Sequence, residues 1–135
     1  DEEMDIGCGA CGEDLPIPVR IHVDAERELV VLYSHMPFSV PEDRRRELAV
    51  AVAQANNGMV DGSFDYDYAN GNILFRITVS ICESLISEKA LMYMVYCACS
   101  TVDAYNDKFL IVAKNSMTCD EVAEFIKGKA GYHGL

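Results

Sequence analysis

The feature that most constrains this chain is the run from Ala90 to Val102, in which almost every residue is apolar or small. Leu91, Val95, Ala98, Val102, Tyr105, Phe109 and Val112 recur at steps of three and four, the signature of a helix with one core-facing stripe. Ser87 stands at the N-cap position, so the helix is expected from there to about Val112. Met92, Tyr93, Met94, Tyr96, Cys97 and Cys99 occupy the sides that the stripe leaves open. A helix that is apolar all round has to be covered all round. One sheet covers one flank; other helices or a second chain must cover the rest.

The segments around this helix read as strands and shorter helices. Residues 15–23 alternate, with Ile17, Val19, Ile21 and Val23 on one side and Pro16, Pro18, Arg20 and His22 on the other, which is a strand with one buried face. Two prolines in it donate nothing to a ladder, so the strand starts at or lies along a sheet edge. A polar turn, Asp24–Glu28, leads to a second strand, Leu29–Tyr33. Ser39-Val40-Pro41-Glu42 has the form of a capping box opening a helix to about Gln54, with Leu48, Val52 and Ala55 inward, Asp43–Glu47 outward and Asn56-Asn57-Gly58 as its stop. Thr118-Cys119-Asp120-Glu121 is a second capping box, for a terminal helix that turns Val122, Phe125 and Ile126 inward.

Asn70-Gly71 is the preferred pair for a two-residue hairpin turn. That turn sets Tyr68 opposite Ile73, Tyr66 opposite Phe75 and Phe64 opposite Ile77 on an apolar face. On the polar face it sets Asp65 opposite Arg76 and Ser63 opposite Thr78. The expected order is strand, strand, helix, strand, strand, helix, helix. This is an α+β domain, an antiparallel sheet of two hairpins with helices packed on one face. At 135 residues, half of them apolar, the chain suits a single domain, residues 15–130.

The net charge is −11, and the opening fourteen residues hold Asp1, Glu2, Glu3, Asp5, Glu13 and Asp14 with no Lys or Arg. With Gly7, Gly9 and Gly12 among them, residues 1–14 read as an acidic, flexible tail. A surface of this sign repels phosphate backbones, so neither nucleic acid nor an anionic membrane is expected as a partner. No basic segment precedes an apolar run, and no eighteen-residue apolar stretch occurs, so neither a signal peptide nor a spanning helix is expected. The six cysteines read as buried thiols of a reducing cytoplasm rather than a disulfide framework.

Candidate chemistry is sparse. Cys8-Gly9-Ala10-Cys11 has the spacing of zinc ribbons and redox motifs, but there is no second pair for a four-ligand zinc, and the pair precedes a strand rather than opening a helix. A thiol- or metal-dependent regulator using Cys8 and Cys11 is the alternative reading; incidental thiols in a tail is the leading one. Cys97 and Cys99 diverge on a helix, and His22, His35 and His133 have no helpful spacing. Asp61, Asp65, Asp67 and Asp103 lie in or near ordered elements, but paired carboxylates need a cleft for acid/base work, and Asp65 and Asp67 alternate with aromatic residues and so face solvent. No phosphate-binding glycine loop and no Ser/His/Asp set is present. No enzyme activity and no cofactor is expected. The sharper candidate is the flank of the long helix carrying Met92, Tyr96 and Cys99, with Tyr93 and Met94 beside it, because adaptable Met and amphipathic Tyr are the composition of interfaces.

The ordered set of motifs resembles the YbjN-domain proteins of bacteria. It consists of the strand before Pro37, Val40-Pro41-Glu42 opening a charged helix, Asn56-Asn57 closing it, and Gly62-Ser63-Phe64-Asp65 starting a strand. Asn70-Gly71 then leads to Leu74-Phe75-Arg76, and Asp103-Ala104-Tyr105 lies in the long helix. The resemblance covers residues 15–127. It implies a fold like that of class I type III secretion chaperones, a small, acidic, usually dimeric, non-enzymatic protein, and, for some members, a role in sensory or stress regulation. Such domains begin with a helix before the first strand. Residues 1–14 do not read as that helix, so its cover is expected either to be missing here or to come from another chain. The function expected is that of a protein-binding module, chaperone-like or a regulatory adaptor, cytoplasmic and homodimeric.

Overall fold

In a computed structural model, which describes residues 4–11 and 15–129, five antiparallel strands form one open sheet in the order β1-β2-β3-β5-β4. The strands are β1 (Met4–Cys11), β2 (Pro16–Asp24), β3 (Leu29–His35), β4 (Ser63–Asp67) and β5 (Asn72–Ser80). Three α-helices accompany them: α1 (Arg45–Asn56), which follows a 3-10 turn at Glu42–Arg44, α2 (Glu88–Lys114) and α3 (Cys119–Lys129). The α+β class and the one-sided sheet are as expected. Along β2, Ile17, Val19 and Ile21 are buried while Pro16, Pro18 and Arg20 are exposed; along β5, Ile73, Phe75 and Ile77 are buried while Asn72, Arg76 and Thr78 are exposed. The helices lie on the buried face. α2 crosses β2, β3 and β5, α1 packs between β4 and α2, and α3 packs on α1.

The opening segment departs from the expected tail. Met4–Cys11 is a full strand, pairing antiparallel with β2 from Met4 opposite Val23 to Cys11 opposite Pro16. Its glycines and negative charge argue for disorder only while the chain is read locally. A partner strand already held by the core supplies the backbone hydrogen bonds that local propensity does not. Residues 1–3 and 12–14, the remainder of the segment read as a tail, lie outside the described residues, as does the Gly-containing end after Lys129.

This pairing also moves β2 off the edge. The ladder with β3 runs only from Arg20 to Asp24, so Pro16 and Pro18 fall where β2 has a neighbour on the β1 side alone. The prolines still occupy positions without full pairing, as their missing N–H demands.

The β4–β5 hairpin keeps the expected faces but not the expected register. Asp67 pairs with Asn72, Tyr66 with Ile73, Phe64 with Phe75 and Ser63 with Arg76. The loop therefore has four residues, Tyr68–Gly71, not two. Asp67 organises it: its carboxylate accepts from the Ala69 amide at 3.1 Å and from the Asn70 side-chain amide at 2.6 Å, while the Gly71 amide donates to the Asp67 carbonyl at 2.7 Å. The change of pairing is an even one, so every side chain that stays in the ladder keeps its face. Asp65 and Arg76 are now diagonal neighbours, yet they form a two-pronged ion pair at 2.7 and 3.0 Å. Tyr68, expected inward, is exposed in the loop.

The start of α1 is held differently from a capping box. Ser39 Oγ donates to Asn72 Oδ1 at 2.8 Å instead of bonding Glu42. The Val40 amide donates to the Gly71 carbonyl at 2.8 Å, and Arg45 donates to Val40 and Ala69 carbonyls at 3.2 and 2.7 Å. The helix entry and the hairpin loop are thus laced together. Gly71 has φ +73°, and a Cβ there would overlap the Val40 carbonyl oxygen. The caps of the other two helices are as read: Ser87 Oγ accepts from the Ala90 amide at 3.1 Å, and Thr118 and Glu121 bond reciprocally at 3.0 and 3.2 Å.

Two outcomes follow from this lacing. Gly71→Ala should lower unfolding free energy by about 2–4 kcal/mol, from left-handed strain and overpacking together, as read from urea denaturation. Asp67 is held below the ordinary carboxylate range, first by the Asn70 side-chain amide. A depressed carboxylate stabilises the fold above its unfolded pKa, and that contribution is lost as pH falls through the folded value. Asn70→Ala should therefore shift the Asp67 titration upward in side-chain carboxylate NMR; an unmoved titration would rule out the loop role given to Asn70.

Candidate functional site

The two halves of α2 sit in different surroundings. In the C-terminal half Val102, Tyr105, Asn106, Phe109, Val112 and Ala113 are buried. Phe64 makes edge contacts with Phe75, Tyr105 and Phe109, with ring centroids 5.0–5.4 Å apart. In the N-terminal half only Met94 and Ala98 are fully buried. Met92 is 60% exposed, Tyr93 55% and Tyr96 69%. The last helix, one of the two candidates to cover this surface, instead spends Val122 and Ile126 on its packing against α1.

The residues singled out in sequence therefore divide. Met92, Tyr93 and Tyr96 share an outward face. Cys99 is half-buried against the core at the margin of that face. Met94 is a correction: at 3% exposure it is core, because it lies two residues from both Met92 and Tyr96, on the opposite side of the helix. Two apolar residues that periodicity did not pick out are added at the same end. Leu85, 94% exposed, precedes the Ser87 cap, and Val60, 53% exposed, adjoins Asp61. Both are in loops, where no repeat spacing marks an apolar residue as outward.

The approach to α2 is an irregular link. Cys82 and Glu83 take positive φ, 39° and 62°, and the Glu83 amide donates to Glu28 Oε1 at 3.2 Å, while the Ile81 amide donates to the Glu28 carbonyl at 2.9 Å. The β2–β3 turn thus holds the link that presents Leu85. On the far side, Tyr93 donates its hydroxyl to Asp61 Oδ2 at 2.6 Å, tying the α1–β4 loop to the helix. That hydrogen bond to a carboxylate, before any other cause, holds the Tyr93 phenol above its ordinary value.

The thiol nearest this tether is shifted away from its reactive form. Cys97 lies 3.9 Å from Asp61 Oδ2, and burial first, with the Asp61 charge adding to it, pushes its thiol up. A thiol so shifted is protonated at neutral pH and a poor nucleophile. Cys82 is exposed and not buried as expected, since the link to α2 leaves the sheet there. Among the described residues no group of three or more His, Cys, Asp or Glu could hold a metal ion, and no helix is long and apolar enough to cross a membrane. Cys8 and Cys11 fall on β1 opposite Val19 and Pro16; their side chains lie outside the described residues. The thiol environments lead to an expected outcome under limiting iodoacetamide, followed by peptide mapping: Cys97 should alkylate at least about tenfold more slowly than Cys82. Preferential labelling of Cys97 would contradict the inert role described for it.

Comparison with known proteins places this geometry in a family. No curated protein and no solved structure matches the chain. One family profile does: YbjN, described as "Putative bacterial sensory transduction regulator", matches residues 9–110. The match takes in three quarters of the chain, including the hairpin lacing and the exposed half of α2. This protein belongs to the YbjN family.

Proposed function

We propose that this protein is a non-enzymatic regulatory module of the cytoplasm that acts by binding protein, and that the exposed face of α2 joins two copies in a homodimer. The observation that carries the reading is the exposure of Met92, Tyr93 and Tyr96 side by side on a helix whose opposite side, at Met94 and Ala98, is core. Solvent-facing helix positions are ordinarily polar or charged, and a cluster of Met and Tyr there marks a surface that is covered in use. The family description, a sensory transduction regulator, is consistent with a role exercised through contact rather than chemistry.

Magnitudes bound the strength of such a contact. Fully burying a side chain of this size contributes about 1.5–3 kcal/mol, and twofold symmetry supplies each one twice. The partial burial that these residues already have reduces the gain. Association costs about 4–15 kcal/mol in lost freedom. Gain and cost are of similar size, so the dimer is a weak, reversible one that a single charge can dissociate.

Tyr96→Glu should therefore convert a dimeric protein to a monomer in sedimentation velocity at tens of micromolar, with unchanged far-UV circular dichroism. A wild-type chain that stays monomeric throughout that range would remove the homodimer.

A further inference from the structure

The exposed face of α2 is patterned along its length as well as apolar. At about 100° per residue, Lys89, Met92, Tyr93, Tyr96, Ser100 and Asp103 fall on one side of the helix. Lys89 and Ser100 are exposed and Asp103 is half-buried. The stripe thus has a cation at its N-terminal end, an anion at its C-terminal end and large apolar side chains between. Tyr96 is its midpoint. Lys89 lies seven residues before it and Asp103 seven after, each about 10 Å away along the axis and about 20° to opposite sides.

A twofold axis lying in the interface, perpendicular to the helix axis at Tyr96, brings Lys89 of one copy level with Asp103 of the other. We propose, resting on the homodimer reading above, that the two copies pack α2 against α2 in antiparallel, centred on Tyr96, with Lys89 of each chain meeting Asp103 of the other. In this register Met92 faces Cys99 and Tyr93 faces Ser100 of the other copy, large side chains against small ones. Opposed helix dipoles favour the arrangement further. A parallel pairing sets Lys89 against Lys89 and Asp103 against Asp103.

Charge is also compatible with a meeting of identical chains here, although Asp61 adjoins the stripe at Tyr93. Two chains of net charge −11 repel each other, and a contact between them needs a stretch without acids. From Lys89 to Val102 there is no Asp or Glu, in a chain that has 22 of them. The acid that ends the stretch, Asp103, is the one that the register sets against a lysine.

The test is a charge exchange between copies. K89E and D103K, each purified alone, place like charges opposite each other twice per dimer, and each should self-associate about tenfold more weakly than wild type. Mixed in equal amounts they restore both opposite-charge pairs, and sedimentation velocity should recover wild-type association, with the gain shrinking at high salt. A mixture no tighter than its components overturns the register. As a second measurement, independent of whether D103K folds, the photo-crosslinker benzoylphenylalanine in place of Tyr96 should give a covalent dimer whose adduct maps to α2 of the other copy near residue 96. An adduct on the sheet or on α1 overturns the arrangement. A monomeric wild type removes the dimer itself, whereas a dimer that Tyr96→Glu dissociates but the charge exchange leaves unmoved keeps the dimer and removes only the antiparallel register.

Discussion

The arrangement of the whole molecule turns on Phe64. Its ring meets Phe75 on the neighbouring strand and Tyr105 and Phe109 on α2, so a single side chain joins the edge of the sheet to the long helix. Its backbone is held from the other side: Asn56, at the end of α1, accepts from the Phe64 amide at 2.8 Å and donates to the Phe64 carbonyl at 3.0 Å. The side-chain amide stands in for a further strand and satisfies the exposed edge at this residue. Gly62, just before it, has φ +82°, and a Cβ there would lie 2.7 Å from the Arg76 carbonyl oxygen. The chain can reach Phe64 only by this left-handed, close-packed entry.

That anchoring decides which part of α2 is hidden. Contacts with the aromatic cluster draw the half of the helix around Tyr105 and Phe109 into the core, and α1 and α3 gather on the same side. In the half around Met92 and Tyr96, Met94 and Ala98 still reach the core, but the outward face lies past this layer, beside the Asp61 tether and the β5–α2 link. The apolar character of the two halves is similar. Their burial differs because a 27-residue helix, about 40 Å long, outruns the helices that pack beside it.

How much of this was legible in the chain depends on the range of the interaction involved. The alternation of β2 and β5, the caps at Ser87 and Thr118 and the inward stripe of α1 are short-range patterns, and each stands where its spacing placed it. Asn70-Gly71 marked the right turn but the wrong loop length, because Asp67, three residues upstream, captures the Asn70 side chain and widens it. Ser39 had the sequence of a capping residue, yet its hydroxyl donates to Asn72, thirty-three residues away. β1 had no local signal at all, since glycines form a strand only when a neighbour offers them a ladder. At the candidate surface, composition identified Met92, Tyr93 and Tyr96, whereas Met94 differs from them only in azimuth, and Leu85 and Val60 lie in loops that carry no period.

The amino-acid order by itself determined the class of fold, the identity of its α2 and hairpin faces and the presence of more apolar helix surface than a small domain ordinarily shows, because period and composition are properties of neighbouring residues. Which side of α2 is left uncovered, what the opening segment pairs with and how long the hairpin loop is were decided in three dimensions. Those outcomes depend on which distant groups arrive first at a shared carbonyl, carboxylate or strand edge, a competition that no local window of the chain contains.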